Sequence, residues 1–227
     1  MHKILQKLFI KGMSKVKNYM IQGIPSLEKA ELLLEESEKI NPGPWIGHCK
    51  HVAESAKLIA DNCEELNSEA AYILGLLHDI GKTTPIGKTT IGHIMEGYNY
   101  CMKNGYHFLA KICVTHSCPS KNISDIFEVK ESCTNEGYLF VEDFLSTVEY
   151  DDYDKLIQLC DALGLHNGFT LIEKRLVDVA LRHGVHEFTV PKWKAFMELK
   201  DYFEEKMGKS IYSILPGVID NTFELRK

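Results

Sequence analysis

Along most of this chain apolar residues recur three and four positions apart, and no segment sustains the alternation of a half-buried strand. The pattern predicts helix after helix. The first covers 26–40, opened by Pro25-Ser26 and closed by Asn41-Pro42-Gly43-Pro44, because proline restricts the residue before it and cannot continue the backbone ladder. A second runs from Trp45 to about Leu66. A third, capped by Ser68, passes through the apolar stretch Ala70 to Leu77 and ends near Gly81. After a loop rich in Thr, Pro and Gly, further helices are expected over 91–103, 106–117, 136–147, 152–163, 170–182 and 192–206. Asn104-Gly105, Asn167-Gly168 and Gly184 punctuate them. The polar stretch from Cys118 to Asn135 reads as a surface loop or insertion. With no internal repeat, the expected organisation is a basic segment over 1–25 and one all-α domain over 26–227. Its motif-bearing core spans about 44–182, and a helical extension covers 183–227.

The helical faces single out a few polar residues. At 100° per residue Trp45, His48, Val52, Ala56 and Ile59 share a stripe, with His51 at its edge, so His48 points inward. His78 and Asp79 end the run Ala71-Tyr72-Ile73-Leu74-Gly75-Leu76-Leu77. Burying an imidazole and a carboxylate without compensation is costly, and a metal ion satisfies both together. Asp161 shares a face with Ile157 and Gly164. Taken singly, His48 also fits a hydrogen-bonded core histidine and Asp161 a structural salt bridge.

Charge and cysteine content narrow the partners. The 227 residues carry 26 basic and 32 acidic side chains, a formal net charge of -6, so no general attraction to nucleic acid is expected. Seven cysteines, at 49, 63, 101, 113, 118, 133 and 160, show no C-x-x-C spacing. They suit reduced, buried thiols of a cytoplasmic protein better than a disulfide framework or a thiolate zinc site. Lys3, Lys7, Lys11, Lys15 and Lys17 surround Ile4, Leu5, Leu8, Phe9 and Ile10, but Gln6 and Lys7 break the apolar run. Neither a secretion signal nor a membrane anchor is expected there, and no run approaches the roughly 20 apolar residues of a membrane span.

Three segments together carry a resemblance. His48-Cys49-Lys50-His51-Val52-Ala53, Gly75-Leu76-Leu77-His78-Asp79-Ile80-Gly81-Lys82 and Leu159-Cys160-Asp161-Ala162 closely resemble the H, HD, D signature of the HD-domain metal-dependent phosphohydrolase superfamily. That pattern places its first histidine four residues before Val-Ala, which selects His48 over His51. The likeness spans about Pro44 to Arg182 and is strongest at HDIGK. It implies a helical bundle in which His48, His78, Asp79 and Asp161 converge on a metal. His93, in Gly92-His93-Ile94, and His116, after the face of Leu109, Ile112 and Cys113, resemble the extra histidines of the binuclear branch. There Asp79 would bridge two divalent metals, with His93 and His116 on the second. Imidazole and carboxylate ligands suit Fe, Mn, Co or Zn.

The activity so implied is hydrolysis of a small phosphorylated metabolite, or a nucleotide, by metal-activated water, with Asp79 and Lys82 catalytic. The six ligands are especially similar to those of bacterial dinucleoside-tetraphosphate hydrolases, from which Leu156 to Gly184 departs. Lys82 and Arg175 are the candidate phosphate contacts, with Arg182 behind them. Their alternatives are a helix-end charge for Lys82 and surface pairing with neighbouring acids for the arginines. His107, His166, His183 and His186 find no place in the ligand pattern. Two other functions stay open on the same ligands: a mixed-valent di-iron oxygenase, and a nucleotide-sensing module without turnover.

Overall fold

The structure is a computed structural model and describes residues 20–84, 90–126 and 135–224. Most of the basic segment over 1–25, including His2, and the thiol of Cys133 lie outside the described residues, as does 127–134 of the polar stretch. Helix α1, Leu27–Ile40, starts where the Ser26 side chain accepts the Lys29 N–H. Pro44 begins α2, Pro44–Asp61, at a position where its missing N–H costs nothing. This helix ends five residues earlier than the sequence pattern suggests. Asn62 donates its side-chain amide to the Leu58 carbonyl, and 62–66 continues as turns in which Cys63 bonds Ala60 and Leu66 bonds Cys63. Helix α3, Ser68–Leu77, is capped by Asn67 rather than Ser68, through its side chain and the Ala70 N–H. It stops at Leu77, so His78 and Asp79 fall at the junction with a 3-10 turn, Ile80–Thr83.

Helices α2 and α3 form the centre of the core. Val52, Ala56, Ile59, Ala71 and Leu74 are fully buried between them and their neighbours. The two backbones come close because Gly75 faces Ala53; a Cβ there would lie 2.7 Å from the Ala53 Cα. Helices α4, Thr90–Lys103, and α5, His107–Thr115, pack together beside the 3-10 turn. Helix α6, Asn135–Thr147, covers them through a satellite cluster of Ile94, Val114, Val141 and Leu145. Helix α7, Asp152–Leu163, begins with a capping box between Asp151 and Asp154 and lies across α2, α3 and α5.

A short antiparallel hairpin follows, β1, Gly164–Leu165, with β2, Gly168–Phe169, in the register Gly164 to Phe169 and Leu165 to Gly168. The chain closes with α8, Ile172–His183, α9, Thr189–Met207, and α10, Val218–Phe223. The hairpin and α10 are absent from the sequence pattern, being too short to show a period. Apart from the hairpin the described residues form an all-α fold, with one apolar core running from Ile24 to Val218. Among the described residues no helix is long and apolar enough to cross a membrane.

The expected surface loop from Cys118 to Asn135 needs correction at its start. Cys118, Ile123, Asp125 and Ile126 are buried, and Ile123–Asp125 forms a 3-10 turn. The polar letters of this stretch conceal two apolar anchors spaced to fold it inward.

Candidate metal centre

Five helices and their ends deliver the polar residues that the sequence singled out. His48 comes from the first turns of α2, His78 and Asp79 from the end of α3, His93 from α4, His116 from the end of α5 and Asp161 from α7. Five of the six line one cavity, and His78 joins His48 and Asp161 behind its floor.

The imidazoles are held by backbone. His48 Nδ1 lies 2.8 Å from the Gly164 carbonyl, and His78 Nδ1 lies 2.7 Å from that of Gly75. His116 Nδ1 lies 3.0 Å from the Cys113 carbonyl and 3.2 Å from that of Ile112. A carbonyl only accepts, so each Nδ1 carries a proton and each ring turns its Nε2 toward the cavity floor. A helical histidine often bonds a carbonyl three or four residues back, as His51 does with Gly47. What sets the three apart is that their free nitrogens converge.

Asp79 stands between two groups. Its Oδ2 lies 3.5 Å from His78 Nε2 and 3.9 Å from His48 Nε2, while Asp161 Oδ1 lies 2.9 Å from His48 Nε2 and 3.6 Å from His78 Nε2. Its Oδ1 lies 3.2 Å from His93 Nε2 and 3.6 Å from His116 Nε2, with the two histidines 3.4 Å apart. Ligand atoms of His48, His78 and Asp161 thus form one set within 4.8 Å of one another, and those of Asp79, His93 and His116 a second.

The electrostatics show what this cluster lacks. Burial raises the cost of charge on Asp79, yet Lys82, His78 and His93 hold its pKa well below the usual carboxylate range. Asp161 is likewise held low, against its burial, by the facing His48 and His78 rings. Burial alone would depress the pKa of His78, but the two carboxylates overcome it and raise it to about 10. At His116 burial prevails, aided by charge on His78, and the pKa falls to about 4. Even so, His78 Nε2 and Asp79 Oδ1 are buried without a hydrogen bond. Two orphaned donor atoms, acids held ionised and a neutral imidazole fit a divalent cation.

The supporting structure is equally specific. Thr115 donates to Asp154 Oδ1 at 2.7 Å, and Gln158 donates to the Thr115 carbonyl at 3.0 Å, so the end of α5 is tied to α7 beside both His116 and Asp161. Lys111 completes the Asp154 network as its counter-ion. Gly81 lets the 3-10 turn touch α4, since a Cβ there would collide with the carbonyl of His93 and the N–H of Gly97.

Above the floor the cavity has a volume of ≈ 460 Å³, within the range of small-molecule sites. Lys82 borders it and is bonded to Asp79 Oδ2. Arg175 also borders it, half-buried, with Asp161 and Asp178 near enough to act on its charge. Arg182 reaches only a backbone oxygen, that of Asp178 at 3.3 Å. His166 and His183, unplaced from sequence, line the same cavity, whereas His107 and His186 do not. Cys49, read simply as a buried thiol, sits within reach of His78 and Asp79, its thiol pushed up by burial. Six of the seven cysteines are described, and all six are buried and free. Lys192, Trp193 and Phe196 of α9 form part of the wall and were not singled out from sequence.

Comparison with known proteins finds the HD domain family matching residues 45–165, just over half of the chain. No curated protein and no solved structure matches.

Proposed function

Because the chain belongs to the HD-domain family, we propose that it is a metal-dependent phosphohydrolase. Its substrate in this reading is a small phosphorylated metabolite or nucleotide, and Asp79 is shared between two divalent metals. The observation that carries this reading is the division of Asp79. One oxygen faces His48 and His78, the other faces His93 and His116, and three of the four rings have Nδ1 fixed to backbone so that Nε2 is free to ligate. Asp161 completes the first set.

When bound at such a site, divalent cations polarise a phosphoryl oxygen and acidify a water for in-line attack. The protein's own residues do the rest. Asp79 and Asp161 supply the negative charge that makes the floor hold cations, and the backbone carbonyls of Gly75, Cys113 and Gly164 keep the rings from turning. Lys82 holds Asp79 Oδ2 through a long, flexible stem. With a cation held by Asp79, the Lys82 ammonium would be released to meet a phosphoryl group as a point charge. The apolar side chains around the floor exclude bulk water and strengthen each of these interactions.

The cation-bearing wall favours phosphate chemistry over the oxygenase alternative. The test is a panel of phosphomonoesters, phosphodiesters and nucleotides offered to protein reconstituted separately with Mn, Co, Zn and Fe. Phosphate or nucleotide release without oxygen uptake is expected. Oxygen consumption on an iron-loaded site with no hydrolysis would contradict the proposal, as would inactivity on the whole panel.

A further inference from the structure

His166 found no place in the ligand pattern, yet it borders the cavity that holds the Asp79 cluster. The chain around it fixes its position. The hairpin that carries it follows α7, the helix of Asp161, and its two-residue tip is His166-Asn167. At its near end the Gly164 carbonyl accepts from His48 Nδ1 at 2.8 Å. A Cβ on Gly164 would lie 3.0 Å from the Val52 nitrogen, so β1 presses on the backbone of α2. At the tip the His166 carbonyl approaches Gly47 so closely that a Cβ there would stand 2.4 Å from the oxygen. At its far end the Phe169 carbonyl accepts from Asn221 of α10 at 2.8 Å, and the Thr170 N–H bonds the Leu163 carbonyl at 2.9 Å. His166 is thereby held against the first turn of α2. It stands two residues from the carbonyl that orients a floor ligand, a span of at most about 7 Å between the two Cα atoms. The residue is exposed rather than packed away.

Hydrolysis of a phosphoester expels a basic oxygen anion unless a proton meets the departing oxygen, and supplying that proton is worth about 10²- to 10⁴-fold in rate. The other proton-bearing side chains around the cavity are committed elsewhere. Three floor imidazoles turn Nδ1 to carbonyls and Nε2 to the cluster, and His93 faces Asp79 and His116. Lys82 is bonded to Asp79, and Lys192 to the Asp125 carbonyl. Asp125 is 1 % exposed, with the N–H and hydroxyl of Ser120 on its Oδ2. Arginine does not give up its proton. The histidines of the rim are then His166 and His183. His183 is the last residue of α8, followed by Gly184, where a Cβ would meet nothing within 4 Å. A proton donor needs a fixed place relative to the reacting atoms, which the clamped hairpin supplies and an open helix end does not.

We propose that His166 is the proton donor to the leaving group in phosphoester hydrolysis, delivered to the cavity rim by the 164–169 hairpin. The proposal rests on the phosphohydrolase reading. The phosphorus–oxygen bond to the leaving group breaks with its electron pair on that oxygen, which takes the proton of the His166 imidazolium. Water forms the new bond to phosphorus, and the proton it sheds returns through solvent to the imidazole. Imidazole suits the task because it both carries and yields a proton near neutrality. The hairpin then serves the site twice, orienting His48 through the Gly164 carbonyl and protonating the departing group through His166.

The decisive experiment uses the full metal-reconstituted chain and aryl esters of phosphate and of thymidine 5′-phosphate, each with 4-nitrophenyl, phenyl and 4-methoxyphenyl leaving groups. A 4-nitrophenolate departs without help, whereas the poorer leaving groups need a proton. In the series that wild type hydrolyses, His166→Gln should lose about 10²-fold or more in kcat on the 4-methoxyphenyl ester and little on the 4-nitrophenyl ester. Its metal content should equal that of wild type. Imidazole added to His166→Ala should restore the lost rate on the poor leaving group alone. Because the side chain is exposed, both substitutions leave the packing of the core intact. His183→Gln should show no dependence of its effect on the leaving group. Equal loss across the series in His166→Gln, or the leaving-group pattern appearing in His183→Gln instead, overturns the proposal while the phosphohydrolase reading stands. Wild-type protein inert on both series and on the wider panel overturns that reading, and the proposal with it.

Discussion

The floor and the wall of the cavity are built on opposite plans. On the floor three imidazoles are anchored to backbone carbonyls, and Asp79 and His78 are almost wholly buried among α2, α3 and α5. On the wall Arg182 is exposed, Arg175 and Lys192 are half-buried, and the outer face of the same helix shows Val177 and Leu181 to solvent. The floor is rigid because each ligand is the end of a hydrophobic helix whose packing fixes it. Long cationic side chains on two peripheral helices give the wall reach without comparable constraint. A metal cluster needs donor atoms placed within a few tenths of an ångström, whereas a phosphoryl group needs only charge nearby. The difference suits a floor that performs chemistry and a wall that selects what enters.

If the comparison is right, damage to the floor is severe and damage to the outer wall is slight. Asp79→Asn, which keeps the shape but removes the shared charge, should lower phosphoester hydrolysis on the order of 10³-fold and release metal from both sets, measured by steady-state kinetics and metal analysis. Gly81→Ala should cost about 3 kcal/mol in urea denaturation by forcing the 3-10 turn away from the His93 backbone.

The floor should also announce itself through pH in the metal-free protein. His78 has a folded-state pKa of about 10 against an ordinary value of 6.5, so its stabilising contribution is full below 6.5 and is lost as pH rises through 10. Asp79 and Asp161 are depressed, so their contribution is present above the ordinary carboxylate pKa and is lost as pH falls below it. Chelator-treated protein should therefore be most stable in mildly acidic solution and weaken toward pH 10. Bound metal, which replaces the His78 proton, should flatten the alkaline limb of urea midpoints taken across that range.

Thr115→Val should cost about 1 to 2 kcal/mol by leaving Asp154 short of a donor. It should also weaken metal retention, since the bond ties α5 to α7. At the other end of the scale, Leu181→Ala on the exposed face of α8 should change stability by less than about 0.5 kcal/mol. A loss there as large as at Thr115 would erase the distinction between the two regions.

The same division governs what was legible in the sequence. His78 and Asp79 stood out because two polar residues end a run of buried apolar ones, and His48 and Asp161 because helical periodicity turned them inward. These are long-period signals from core helices. The hairpin over 164–169 left no such signal, because strands of two residues have no alternation to read. Yet its Gly164 carbonyl is what fixes His48. Lys192 and Trp193 were equally silent, since a cation and an aromatic on an amphipathic helix look like ordinary surface until the helix is seen folding over a cavity. Asn67 displaced Ser68 as a cap because two adjacent residues of cap type cannot be ranked without the backbone.

The central claim is that Asp79 divides its oxygens between two metals. The most direct test is metal content per chain in wild type and in His93→Ala, both purified without chelator and assayed alongside phosphate release. Two metal ions in the wild type, falling to one in the variant with loss of hydrolysis, is the predicted result. One metal ion in both proteins, with hydrolysis unchanged, would contradict it.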